Sequence, residues 1–133
     1  MSTPPLRGTD LLLVAVGGAA GAVLRHAVDA VAPATLQPWH TLAINVLGAF
    51  ALGLLPALAV VRRSPAVAAL LGPGLVGGFT TVSAWAGQVR DLVASGHPAV
   101  AGVYLALTVG AGLAAAALGR RLAASARAGG VPA

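Results

Sequence analysis

The chain has 133 residues, 58% of them hydrophobic and 8% charged, against about 25% charged in ordinary soluble domains. It contains no cysteine, which excludes disulfides and thiolate metal sites. The net charge of +5 comes from arginines at the ends of apolar runs, not from one basic face, so a nucleic-acid partner is not expected.

About 20 apolar residues at a rise of about 1.5 Å cross a hydrocarbon core of about 30 Å. Four such runs predict spans at about 10–32, 41–61, 65–89 and 98–119, forming one all-α integral membrane domain over 10–121. The ends, 1–9 and 122–133, are expected to be disordered tails. The first run carries mid-run glycines and leads into more spans, so it does not read as a cleaved signal peptide.

The first span contains Gly17 and Gly21, a small-xxx-small face that lets another helix approach closely. Arg25 and Asp29 follow, four apart and able to pair on a helix. Pro33 and Pro38 mark the next connection, and Trp39 falls where an interfacial aromatic anchor belongs. The second span carries Asn45, Gly48 and Gly53, and Arg62-Arg63-Ser64-Pro65 turns tightly into the third. Gly96-His97-Pro98 precedes the fourth span, which ends at Gly119-Arg120-Arg121.

The third run is the unusual one. Gly72-Pro73-Gly74 is followed by Gly77-Gly78-Phe79-Thr80-Thr81-Val82-Ser83. Gly costs about 1 kcal/mol and Pro about 3 in a helix interior, so a helix broken within the membrane is expected here. Such a break is tolerated only where protein or a polar cavity receives the freed backbone groups, and broken helices hold ions in other membrane proteins. The hydroxyls of Thr80, Thr81 and Ser83 can cap the broken ends, and unpaired carbonyls can coordinate a small hard cation.

Counting arginines by side, Arg7, Arg62, Arg63, Arg120, Arg121 and Arg127 fall on the side of both termini, against Arg25 and Arg90 on the other. The positive-inside rule then puts both termini in the cytoplasm. Asn45 inside its span is either interhelical glue or a donor to an anion. Tyr104, Thr108 and Gly112 lie along one helical face, as a polar track or as separately satisfied hydroxyls. Trp85 and Phe79 can pack or can offer a positive ring edge to an anion. His26, His40 and His97 sit near span ends without metal-ligand spacing and read as interfacial. The spans hold no central carboxylate and the chain no catalytic constellation, so neither proton-coupled cation transport nor enzymatic activity is expected.

The segments GGAAGAVLRH (Gly17–His26), TLAINVLGAF (Thr41–Phe50) and GGFTTVSAW (Gly77–Trp85) resemble, in order and spacing, the Fluc/CrcB fluoride channels. The resemblance covers about Asp10 to Gly119. It implies a four-helix protein working as an antiparallel dimer, with two fluoride pores and a central structural sodium ion that is not transported. Gly77 and Thr80 match the positions whose carbonyls hold sodium. Asn45 matches the pore-side amide, Tyr104 and Thr108 match the hydroxyl track, and Arg25 matches the arginine ending the first motif. Gly78, Thr81 and Ser83 take structural places around the break. The implied activity is passive export: hydrogen fluoride enters neutral and dissociates, and the membrane potential drives the anion out across the bacterial plasma membrane.

Two departures from that family qualify the implication. Val82 and Trp85 stand where the family has a pair of phenylalanines; valine offers no polarised edge, whereas tryptophan keeps one and adds an N–H. The arginine bias, six against two, fixes one orientation, so an antiparallel dimer would need an oppositely oriented homologous partner. Two other readings remain: a non-conducting subunit completing its partner's pore, and a four-span proton-coupled drug exporter, which would need an embedded Glu that the first span lacks.

Overall fold

The computed structural model describes residues 8–33, 35 and 37–129. Every regular element among them is helical: α1 (Gly8–Val31), α2 (Trp39–Leu54), a 3₁₀ turn (Leu55–Ala57), α3 (Ala59–Arg63), α4 (Pro65–Ala69), a π-helical stretch (Leu70–Val76), α5 (Gly77–Phe79), α6 (Val82–Ala94) and α7 (Pro98–Ala128). Four stretches are long and apolar enough to cross a membrane: Gly8–Val31, Trp39–Ala57, Pro65–Ala94 and Pro98–Ala128. The chain is thus a multi-pass membrane protein. Leu12, Val23, Leu47 and Leu113 point outward at 62–69% exposure, which suits a lipid-facing surface and would be costly in water.

The small residues decide how the helices meet. A Cβ on Gly17 would fall closer than 3.0 Å to Leu70 O and Leu75 N, and one on Gly21 would strike Leu75 O and Phe79 N. From the other side, a Cβ on Gly78 would strike the Gly18 backbone. Here α1 lies backbone against backbone on the third span, as the Gly17/Gly21 spacing predicts. A second close approach joins α2 to α7, where Gly53 meets Ala116 O and Gly119 meets Phe50 O.

Boundaries differ from the sequence reading where proline or packing intervenes. The second helix is α-helical only to Leu54 because Pro56 lacks an N–H and its ring crowds the preceding turn. Arg62 caps that end, donating through Nη1 to Pro56 O at 3.1 Å and Ala57 O at 2.8 Å. Ser64 Oγ accepts the Val67 N–H at 3.3 Å, so a serine–proline N-terminus starts the third span. The fourth helix runs through Ala128, where residues 122–133 are expected to be disordered. Ala123 is fully buried and Arg127 Nε bonds Ala123 O at 3.1 Å, which holds the alanine-rich end in helical register. Residues 1–7 and 130–133, where the rest of the expected tails fall, lie outside the described residues.

Candidate functional site

Helical hydrogen bonding in the third span stops at Thr80 and Thr81, whose backbones are extended (φ −79°, ψ 158° and φ −145°, ψ 127°). The glycines are not the interruption. Gly77 and Gly78 remain helical, and Gly72-Pro73-Gly74 lies in the π-helical stretch, whose wider turn accommodates the missing Pro73 N–H. Gly74 and Gly78 are small because α1 lies against them.

Asn45 holds the interruption open. Its Nδ2 donates to Thr81 O at 2.9 Å and its Oδ1 accepts the Thr81 N–H at 2.9 Å. Thr81 Oγ1 in turn accepts the Ala84 N–H at 3.2 Å, capping α6, and lies 3.2 Å from Ser83 Oγ. In an unbroken helix the Thr81 and Ala84 amides would bond the carbonyls of Gly77 and Thr80. Asn45 and the Thr81 hydroxyl take those amides, which leaves the two carbonyls without their helical partners. Gly77 O retains one long contact from Thr80 Oγ1 at 3.4 Å, while that hydroxyl bonds Val76 O at 3.1 Å.

Gly77 and Thr80 line a cavity of about 480 Å³ together with Asn45, Gly48, Gly72 and Val76. Two carbonyls released by a break suit a hard, oxygen-seeking cation, although one chain supplies too few oxygens to surround it. Among the described residues no group of three His, Cys, Asp or Glu side chains is placed to hold a metal.

On the other side of the break, a cavity of about 190 Å³ is lined by Asn45, Thr81, Val82, Trp85, Thr108 and Val109. Four of the five residues expected along an anion path meet there; Tyr104 does not. Counting protons narrows the donors. Thr108 Oγ1 donates its single hydrogen to Tyr104 O at 2.8 Å, the local back-bond. Asn45 keeps one of its two amide hydrogens, and the Trp85 indole N–H is buried without an acceptor. Val82 is 74% exposed at the edge of this cavity.

Tyr104 is fully buried in a separate polar cluster, its ring edge-on to Trp39 at 5.8 Å. Its hydroxyl donates to Gln88 Oε1 at 2.7 Å, and Gln88 Nε2 donates to Thr41 Oγ1 at 2.9 Å and to Gln37 Oε1. Thr41 also accepts Arg25 Nη2 at 3.3 Å. Arg25 Nε pairs with Asp29 Oδ2 at 2.8 Å, as their spacing predicts, and His40 Nε2 lies 2.7 Å from Asp29 Oδ1. His40, read from sequence as interfacial, sits at the start of α2 and joins a half-buried cluster with Asp29 and Arg25. Gln88 and Thr41 are also missed by sequence reasoning. The available signal is spacing: Thr81, Trp85 and Gln88 fall at i, i+4, i+7, and Thr41 lies one turn before Asn45.

Comparison with known proteins places the chain in a family. The family model for CrcB-like protein, Camphor Resistance (CrcB), matches residues 12–120. The chain belongs to the CrcB family. The fluoride-specific ion channel FluC of Erythrobacter litoralis (strain HTCC2594) is 42% identical, over 92% of this CrcB chain and 96% of its own length. FluC of Hyphomonas neptunium (strain ATCC 15444) is 41% identical over 81% and 90%, and FluC 2 of Nocardia farcinica (strain IFM 10152) 40% over 87% and 86%. The CrcB match covers the second and third membrane-crossing stretches in full, most of the first and fourth, and both cavities at the break.

Proposed function

We propose that this CrcB chain is a subunit of a fluoride-specific channel that lowers cytoplasmic fluoride by passive export. The observation that carries the reading is the small cavity beside the helix break, which brings Asn45, with one uncommitted amide hydrogen, together with Thr81, Val82, Trp85 and Thr108. Fluoride is small and strongly hydrated, so a path must replace its water with a few well-placed donors. The relatives, fluoride-specific ion channels by name, support the same substrate.

Within this reading Asn45, Val82, Trp85, Thr108 and Tyr104 line or flank the path. Thr108 and Tyr104 contribute by position alone, because their own protons are engaged and an oxygen lone pair does not attract an anion. Gly77 and Thr80 hold a structural sodium ion through their carbonyls; Arg25, Gly78, Thr81 and Ser83 shape the break and its surroundings. The coordination of that ion is completed by a second subunit inserted upside down. The arginine bias argues for a homologous partner of opposite orientation, with both termini of this chain in the cytoplasm of a bacterial cell.

A second role rests on Val82. Its exposed side chain offers no polar edge, so this chain can serve to complete a pore that its partner lines. The deciding experiment is halide efflux from liposomes containing the chain alone or with a candidate partner, with and without sodium. Fluoride-selective, sodium-dependent efflux is expected. Equal chloride efflux that persists without sodium refutes the channel reading. Conduction unaffected by Asn45 substitution assigns the path to the partner.

A further inference from the structure

At the end of the molecule away from Trp39 and Tyr104, arginines from two parts of the chain gather. The second span finishes in the 3₁₀ turn Leu55–Ala57 and in α3, which closes with Arg62 and Arg63. That turn packs against α7, and a Cβ on Gly53 would lie 3.1 Å from the Arg120 backbone nitrogen. Arg120 and Arg121 therefore leave the membrane at the same end as Arg62 and Arg63. With 31 residues α7 is about 46 Å long, some 16 Å more than the hydrocarbon core, so its basic last turns stand at headgroup depth.

The positive charge here is in excess. The chain has three acidic residues, and two of them, Asp29 and Asp91, pair with Arg25 and Arg90 at the other end. Only Asp10, in the first turn of α1, belongs to this end. Arg62, Arg63, Arg120, Arg121 and Arg127 are all exposed, so they outnumber it even with Asp10 fully paired.

Arg62 is held in place. Its Nη1 hydrogens go to Pro56 O at 3.1 Å and Ala57 O at 2.8 Å, and its backbone N–H bonds Leu58 O at 3.2 Å. Among the described residues no hydrogen bond uses its Nε or Nη2, which remain as donors. Leu58, one turn away, lines a groove of about 190 Å³ with Ala51, Leu54 and Leu55. The groove is apolar, and Leu58 is 47% exposed at its edge. It runs along a different face of α2 from Gly48, Ala49 and Leu52, which line the larger cavity beside Gly77 and Thr80.

This combination fits an amphiphile with an anionic head. A free phosphate would meet the guanidinium groups and leave the groove empty. A zwitterionic lipid would fill the groove but bring its own cation against the arginines. We propose that this end binds an anionic phospholipid, its phosphate against Arg62 and Arg63 and an acyl chain along Leu54, Leu55 and Leu58. Arg120 and Arg121 add to the positive potential that draws the headgroup in, as basic pockets at the ends of spans do. The site needs only the four membrane-crossing stretches and is independent of the fluoride reading.

The purified full chain, in detergent micelles doped equally with phosphatidylglycerol and phosphatidylcholine of identical acyl chains, tests this by native mass spectrometry. Phosphatidylglycerol should be retained at least about tenfold over phosphatidylcholine, since each arginine near an anionic surface strengthens attachment about fivefold. Arg63→Gln should cut its retention about fivefold, Arg63→Lys should keep most of it, and Arg90→Gln at the other end should change nothing. Leu58→Asn, which leaves every charge in place, should cut retention about threefold by removing apolar contact. Equal retention of the two lipids overturns the proposal, as does an unchanged preference in Arg63→Gln. Displacement of the lipid by excess inorganic phosphate, or full retention in Leu58→Asn, makes the arginines a free-anion site and overturns the phospholipid.

Thermal melts in the same micelles need no variant. Phosphatidylglycerol, and not phosphatidylcholine, should raise the unfolding midpoint, and about 1 M salt, where the Debye length falls to about 3 Å, should erase most of the difference. Identical midpoints in the two lipids at low salt overturn the proposal.

Discussion

Asn45→Ala gives the sharpest test of how the break is held. The substitution removes two hydrogen bonds of 2.9 Å and leaves the Thr81 N–H without a partner in a half-buried position, while the Thr81 carbonyl, as the N-cap of α6, keeps its helical bond. Side-chain hydrogen bonds inside membrane proteins average about 0.6 kcal/mol, because the unfolded chain in the bilayer also finds partners, so two set a floor of about 1 kcal/mol. An orphaned buried N–H costs about 1–3 kcal/mol, which sets a ceiling near 3. A loss of about 2 kcal/mol is therefore expected. It can be read from reversible denaturation of the purified protein in mixed micelles, as a shift in the unfolding midpoint at constant slope. Asn45→Asp should fall between wild type and Asn45→Ala, since it keeps the acceptor for the Thr81 N–H but sets a negative oxygen against the Thr81 carbonyl. If Asn45→Ala unfolds within about 0.5 kcal/mol of wild type, the amide does not hold the break and the account of the freed carbonyls fails with it.

Three further outcomes follow from the packing and the polar cluster. Gly21→Ala should lower stability by about 3 kcal/mol or more, because the new methyl would strike the backbone of Leu75 and Phe79; Gly102→Ala, with nothing within 4 Å, should be neutral or stabilising by up to about 1 kcal/mol in the same melts. Gln88→Leu should cost about 2 kcal/mol, since it strands the buried Tyr104 hydroxyl and frees Thr41; Gln88→Glu, which keeps the acceptor for Tyr104, should cost less in the same denaturation assay. Val82→Phe should leave stability within about 0.5 kcal/mol, the side chain being 74% exposed. In liposome efflux it should raise fluoride flux several-fold if this chain lines the conducting path, and change nothing if the partner does.

Local properties of the chain were readable in advance because they depend on neighbours a few residues away. Four apolar runs of bilayer length, arginines confined to their ends, and Gly17 and Gly21 on one helical face all follow from spacing and hydropathy, and the helices form and pack accordingly. The Arg25–Asp29 pair belongs to the same class, being one turn apart. Glycine content also signalled trouble in the third span, but it pointed a few residues too early. There the glycines answer to α1, a neighbour that composition alone does not reveal.

Tertiary structure decided where each hydrogen bond goes. Asn45 finds Thr81 across 36 residues, and Tyr104 and Thr41 meet on Gln88, which reads from sequence as an ordinary polar residue near a helix end. His40 passes for an interfacial histidine until Asp29, 11 residues earlier, is folded against it. Composition states how many donors and acceptors a chain owns. Only the approach of distant segments, to within about 3 Å, determines which of them are consumed and which stay free to meet an ion.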